Sequence, residues 1–287
     1  MLVYIENNDY IIKKGGGEMS IIYEPKGKAR EYSPLAVNIY TGCDHKCLYC
    51  YAPNIRRKTL KEYSENIQPR NNIINQLKND CRKYQGSKQQ VLFNFMHDPY
   101  SHINEKYGLT RQALKLMLNY RIPVAILTKG GLRAQKDFDI MEKFGESIKI
   151  GTTFTFENKQ KSLEWERDAA IPSERIEMLK NAKERGIKTW ASFEPVIEPE
   201  ESLKIMEISL PYVDEYKIGK INNYKGLDKN INWTKFLKNV VFLLRKNKKP
   251  FYIKYDLRQN APTIKLFGNE ILPDEFCVKP FDSNELF

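Results

Sequence analysis

The sequence predicts an α/β fold made of parallel β/α units, arranged as a partial (β/α)6 barrel of the TIM type. Apolar, β-prone runs alternate with segments of helical spacing at the pace of β/α units. Nearly every such run ends in an unusual polar cluster, as expected where reactive groups gather at the C-terminal ends of parallel strands. The chain has 287 residues, enough for one large domain with a sizeable core.

In order, residues 1–34 read as an N-terminal extension, 35–260 as the core and 261–287 as a C-terminal extension. Val3–Ile5 and Tyr10–Ile12 suit a hairpin around Asn7-Asn8-Asp9, and the Lys13-Lys-Gly-Gly-Gly-Glu run points to Met19 as a natural start. Residues 20–34, with Pro25, Gly27 and Pro34, read as an irregular lead-in. Leu35–Tyr40 is the first buried strand, and Thr41-Gly42 turns it into a cysteine loop. Residues 71–85 carry Ile73, Ile74, Leu77 and Tyr84 on one helical face, with Cys81 close to it as a small core filler.

Strands follow at Val91–Met96, Pro123–Leu127, Ile148–Phe156, Lys188–Phe193, Val213–Ile218 and Phe251–Lys254. Between them, helices are predicted from a Thr110 cap, over about 135–144, from Ser173 to Gly186, over 200–208 and over 233–247. Six units and a last strand suit a partial barrel or one closed by that last strand. The polar clusters are His97-Asp98, Thr128-Lys129, Glu194-Pro195-Val196 and Gly219-Lys220.

The hydrophobic share of 41% and charged share of 29% are ordinary for a soluble protein. No run has the length of a membrane span. The net charge of +11 suits a nucleic-acid partner through phosphate contacts, although Lys is also the default solvated residue. Five cysteines without a disulfide pattern read as metal chemistry in a reducing, cytoplasmic compartment.

Three of the five lie within eight residues, as Cys43-x3-Cys47-x2-Cys50. Three converging thiolates favour zinc or iron–sulfur chemistry. A structural zinc site wants a fourth ligand, and Cys81 and Cys277 stand far away in sequence. A cluster held by three cysteines instead leaves one iron open to a substrate or cofactor.

This spacing, with Tyr49 before the last cysteine, resembles the signature of the radical S-adenosylmethionine (SAM) enzymes. Phe93–Tyr100, Leu109-Thr110-Arg111, Leu127-Thr128-Lys129, Trp165-Glu166, Pro172–Glu177 and Glu194–Ile197 resemble the subgroup related to spore photoproduct lyase, labelled DNA repair photolyase-like. The resemblance covers roughly 35–260 and implies the partial barrel of that superfamily. It implies a [4Fe–4S] cluster on Cys43, Cys47 and Cys50, with SAM on the open iron. The reduced cluster cleaves SAM to a 5′-deoxyadenosyl radical, which takes hydrogen from substrate. Flavodoxin or ferredoxin is the kind of electron donor implied.

By the same resemblance, Tyr49 approaches the adenine, and Asn94 to Asp98 meet the methionine amino group. Lys129 reaches the SAM carboxylate. Thr152 or Thr153 faces the ribose, and Val196 offers backbone contacts to the adenine. Tyr49 and Tyr51 resemble the lyase's tyrosine relay, yet serve equally as packing around the cluster. That lyase uses a barrel cysteine as hydrogen donor, and this chain has none between Cys81 and Cys277.

Each position has a plainer reading. Lys129 suits a solvated loop, Thr152 and Thr153 suit β propensity, and Asp98 suits a loop organiser. Glu194 is a candidate catalytic contact, or else a salt-bridge partner of Lys217 or Lys220. Trp165-Glu166-Arg167 closes over the site or anchors a Trp. The run Arg245–Lys249 is a solvated helix end or a phosphate contact. Three functions stay open: radical chemistry on a nucleic-acid or nucleotide-related substrate, the same chemistry on a peptide or small metabolite, and a metal-containing nucleic-acid-binding module.

Overall fold

The computed structural model describes residues 20–282 apart from 223 and 225. The hairpin expected at residues 3–12 and the start at Met19 lie outside them. One eight-stranded sheet, in the order β1 to β8, organises the described chain. β1 (Ile22–Tyr23) runs antiparallel to β2 (Leu35–Val37). β3 (Val91–Phe93), β4 (Val124–Thr128), β5 (Ile148–Thr153), β6 (Lys188–Phe193), β7 (Glu215–Ile218) and β8 (Phe251–Ile253) then follow, each parallel to the one before. β8 pairs with β7 alone, so the barrel is partial and the last strand does not close it.

Alternation along the strands separates two faces. Val37, Val91, Ile126, Ile150, Phe193 and Ile218 point outward into a large apolar core shared with the helices. Ala36, Leu92, Ala125 and Trp190 point inward with Tyr32, forming a small second core in the lumen. The lead-in is therefore not wholly irregular: it adds β1, and Tyr32 fills the lumen. The segment around Tyr32 also bridges the open edges of the sheet. Glu31 accepts hydrogen bonds from the Tyr252 hydroxyl (2.6 Å) and the Tyr255 N–H (2.8 Å), while Lys217 Nζ donates to the Glu31 carbonyl at 2.9 Å.

The crossover helices are Ile73–Lys83, Leu109–Asn119, Pro172–Glu184, Pro199–Ser209 and Trp233–Lys246. Three differ from the sequence reading. Thr110 lies inside its helix and not at the cap, and its hydroxyl donates to the Pro99 carbonyl at 2.6 Å. The helix read from Ser173 starts one residue earlier, because Pro172 suits the first helical position, where no N–H is needed. The helix read over 135–144 is a 3₁₀ stretch, one α turn (Phe138–Met141) and a second 3₁₀ stretch bent at Gly145. β6 keeps the bounds read for it and β4 is shifted by one residue, while the other strands are shorter than read, because the polar residues at their ends leave the ladder to build loops.

Cys81 is fully buried, its sulfur 3.9 Å from that of Met117, as a core filler should be. Arg245 is not a free basic end: it pairs with Glu270 at 2.7 Å. No helix among the described residues is long and apolar enough to cross a membrane.

Candidate active site

The cysteine loop leaves the C-terminal end of β2 and is fastened on two sides. Gly42 lets it start, since a Cβ there would lie 2.2 Å from the Tyr63 carbonyl oxygen. On one side, Leu48 N–H donates to the Trp165 carbonyl (2.8 Å) and Asp168 N–H to the His45 carbonyl (3.2 Å), with Cys47 bridged to Glu166. On the other, Asp44 accepts from Ile103 N–H at 2.9 Å, and His45 meets Arg133 at 3.1 Å and Asp98 at 3.5 Å.

Glu166 is the hidden centre of this arrangement. It is buried, pairs with the equally buried Arg175 at 2.6 Å, and accepts a hydrogen bond from the Tyr49 hydroxyl. Burial alone would raise its pKa, but Arg175, Lys129 and Tyr49 together hold it below the ordinary carboxylate range. Arg175 also donates to the Ala170 (2.7 Å) and Thr153 (2.9 Å) carbonyls, tying the loop to β5. Sequence reasoning singled out Trp165-Glu166 but missed the ion pair. The signal available was an acid beside an apolar anchor and an Arg opening the next helix.

Asp98 organises the neighbouring strand ends. One carboxylate oxygen accepts from Tyr100 N–H (2.9 Å) and the Thr128 hydroxyl (2.6 Å), the other from Lys129 N–H (2.6 Å). Both oxygens are thus engaged within the protein. Lys129 is turned toward the cysteine loop, its Nζ 5.8 Å from the Tyr49 ring centroid. Burial pulls its pKa down, yet nearby Cys47 and Glu166 outweigh this and keep it raised and charged.

The other candidates divide clearly. Asn94 is buried, and neither its amide nitrogen nor its amide oxygen has a hydrogen-bond partner among the described residues. By strand alternation Thr153 faces the lumen, whereas Thr152 donates to the Thr128 carbonyl at 2.6 Å. The Val196 side chain sits in the outer core. Tyr51 is 51% exposed at the rim and donates to the Phe95 carbonyl at 3.0 Å. Glu194 pairs with Lys254 at 2.5 Å, not with the expected Lys217 or Lys220. Lys217 is turned to lead-in carbonyls and Lys220 to Asp228.

The donor set fits the cluster that the motif implies. Burial pushes all three thiols up, Cys47 to about 12, so they hold their protons until a metal displaces them. Among the described residues no three His, Cys, Asp or Glu side chains converge on a single metal-ion position. Thiolates that ligate separate corners of a cube need no such point. The two unpartnered polar atoms of Asn94 and the charged Lys129 suit the amino-acid end of SAM.

Comparison with known proteins agrees with the cluster and the fold. The Radical SAM superfamily model matches residues 37–209, more than half the chain. An uncharacterized protein of Methanocaldococcus jannaschii is 32% identical over 163 residues, 56% of this chain and 60% of its own length. An uncharacterized protein of Acidianus two-tailed virus is 28% identical over 188 residues, 61% of this chain and 60% of its own length. The chain thus spans about three fifths of these relatives. Among solved structures, Streptococcus suis SuiB bound to S-adenosylmethionine has a TM-score of 0.58 at 14% identity, covering 82% of this chain and 53% of SuiB. A spore photoproduct lyase variant has a TM-score of 0.62 at 9% identity, covering 82% of this chain and 79% of the lyase. The motif, the partial barrel and the family match make this chain a member of the radical SAM superfamily, whose cofactors are a [4Fe–4S] cluster and SAM.

Proposed function

We propose that this protein is a radical SAM enzyme of the photolyase-like subgroup, abstracting hydrogen from a nucleic-acid or nucleotide-related substrate. The observation that carries the reading is the docked loop. Three thiols, that of Cys47 buried and those of Cys43 and Cys50 half-buried, stand near a charged Lys129 and an Asn94 without a side-chain partner among the described residues, all at the C-terminal ends of the strands. The bound cluster and SAM supply a 5′-deoxyadenosyl radical on reduction. Cys43, Cys47 and Cys50 hold the cluster. Lys129 offers a cation to the SAM carboxylate and Asn94 an amide to its amino-acid end. Thr153 lies on the lumen face of β5 by strand alternation and is the candidate for the ribose contact. Tyr49, held by Glu166, presents its ring between the cysteine loop and Lys129.

The net charge of +11 supports a polyanionic partner, and an acidic electron donor of the flavodoxin or ferredoxin kind suits the same surface. The reading is tested by anaerobic reconstitution with iron and sulfide, followed by reduction in the presence of SAM and deuterated DNA or RNA. Deuterium should enter 5′-deoxyadenosine, and Cys50→Ala should abolish both the cluster absorption and the cleavage. A Cys50→Ala protein that retains both refutes it. Deuterium arriving from a peptide, with none from DNA or RNA, moves the substrate to that class.

A further inference from the structure

The strand ends around the mouth fall into two halves. Those of β2 to β5 carry the cysteine loop, Asn94, Lys129 and Thr153, the residues assigned above to cluster and SAM. Those of β6 to β8 carry Glu194, Gly219 and Lys254, which cluster and SAM leave unused.

These three form a built group. Lys254 is 3% exposed, and its Nζ lies 2.5 Å from Glu194 Oε2 and 3.6 Å from Glu31. The Tyr32 hydroxyl meets the same Glu194 Oε2 at 2.7 Å and Ser192 Oγ at 2.8 Å. Glu194 Oε2 is therefore doubly engaged, while Oε1 takes no bond from a described residue. The carboxylate lies directly over Gly219, where a Cβ would come within 2.8 Å of Oε1. Its side chain keeps 18% exposure, so the free oxygen is not sealed in.

The surroundings set the chemistry of what can bind. Two carboxylates, Glu31 and Glu194, share the single cation Lys254, so the group disfavours an anion. Burial lowers Lys217 to about 7, so it adds only part of a charge near neutrality. The lumen wall beside it is aromatic: Tyr32 packs edge-on to Phe95 at 6.1 Å and tilted to Trp190 at 6.2 Å, and Phe95 is half-buried. Flat apolar walls with one fixed acceptor suit a planar ring that carries an N–H donor.

We propose that Glu194 is a substrate-anchoring residue whose free carboxylate oxygen accepts an N–H from a nucleobase, with Lys254 and Tyr32 as positioning residues. This rests on the nucleic-acid reading of the proposed function and deepens it: the base lies at the mouth of the barrel against Glu194, above the filled lumen, and the phosphate stays outside. An acceptor rigidly held by Lys254 and Tyr32 selects the donor edge of a base without paying to order itself first.

The test uses the reconstituted holoenzyme with SAM bound. It is titrated calorimetrically with the four 2′-deoxynucleosides, their 5′-monophosphates, and analogues N-methylated at the donor nitrogen. At least one nucleoside should bind, its monophosphate no more tightly, and its N-methyl analogue about 10–100-fold more weakly, as for a lost hydrogen bond to a charged group. Glu194→Ala should weaken that nucleoside by a similar factor and abolish the discrimination against methylation. Glu194→Gln, which keeps an acceptor and the shape, should restore part of it. Cluster absorbance at the wild-type level shows that each variant has folded.

Equal affinity for nucleoside and N-methyl analogue, or unchanged affinity in Glu194→Ala, overturns the proposal. So does binding of no nucleoside, or a Glu194-dependent affinity for a peptide alone. Where SAM cleavage persists in such a protein, the radical reading stands and the anchor falls. Where cluster and cleavage are both absent from the wild type, it is the radical reading that fails.

Discussion

Removing the carboxylate of Glu166 is the sharpest perturbation of the site that needs no cofactor to read. Glu166 and Arg175 are each 1% exposed and 2.6 Å apart, and Glu166 also receives the Tyr49 hydroxyl. In Glu166→Ala the guanidinium keeps the Ala170 and Thr153 carbonyls but loses the carboxylate it is paired with. Breaking one partner out of a buried ion pair costs about 3–5 kcal/mol. For 287 residues, an unfolding entropy of about 2.1 cal/mol/K per residue amounts to about 0.6 kcal/mol/K, so the apo protein should melt about 5–8 °C lower. The assay is a thermal melt of apo protein by circular dichroism, with Arg175→Met and the double variant alongside.

The double variant should fall short of the sum of the two single losses by about 1–3 kcal/mol, because no charge is then stranded. The sign with pH follows from the lowered carboxyl. A depressed folded pKa gives stability that is present above the unfolded value near 4.3 and lost as pH falls through the folded value. The wild type should therefore lose its margin over Glu166→Ala in strong acid. A Glu166→Ala protein melting within about 2 °C of wild type, or strict additivity with Arg175→Met, refutes the reasoning.

Other substitutions test the frame around the site. Asp98→Ala strands the Tyr100 N–H, the Lys129 N–H and the Thr128 hydroxyl, and should cost at least about 3 kcal/mol in urea melts while lowering SAM affinity through Lys129. Gly151→Ala places a Cβ 2.5 Å from the Trp190 ring and carbonyl oxygen, and should cost about 1–3 kcal/mol by overpacking the lumen, read as a lower urea midpoint. Burial lowers His97 to about 3, so the folded state stays unprotonated while the unfolded chain takes a proton below about 6.5; stability should fall with pH across that window. His97→Phe keeps a ring against Tyr40, removes two ring nitrogens that have no hydrogen-bond partner among the described residues, and should flatten that slope in melts between about pH 4 and 7. Cys81→Ala should cost about 1–2 kcal/mol as a core truncation and leave the cluster absorption intact.

Local features of the site were legible because their chemistry is written in consecutive residues. The Cys43–Cys50 spacing, the apolar strands and the polar residues that end them need only periodicity and ligand chemistry to be seen. The same holds for Cys81, whose helical position already placed it near an apolar face. Helix starts were less legible: whether Thr110 caps or lies within the first turn depends on the Pro99 carbonyl, which a helical pattern does not contain.

By itself the sequence determined a parallel β/α array, a three-thiol loop at its C-terminal mouth and a formal net charge of +11. These follow from short-range pattern and composition. Tertiary structure alone decided which charges meet. Tyr49 finds Glu166 across 117 residues, Glu194 takes Lys254 in place of Lys217 or Lys220, and Tyr32 reaches Glu194 across 162 residues. Such pairs form because the lead-in, the loops and the strand ends converge at the mouth of the barrel, where a buried charge is tolerable only beside its opposite. No one-dimensional period encodes which lysine arrives at which acid.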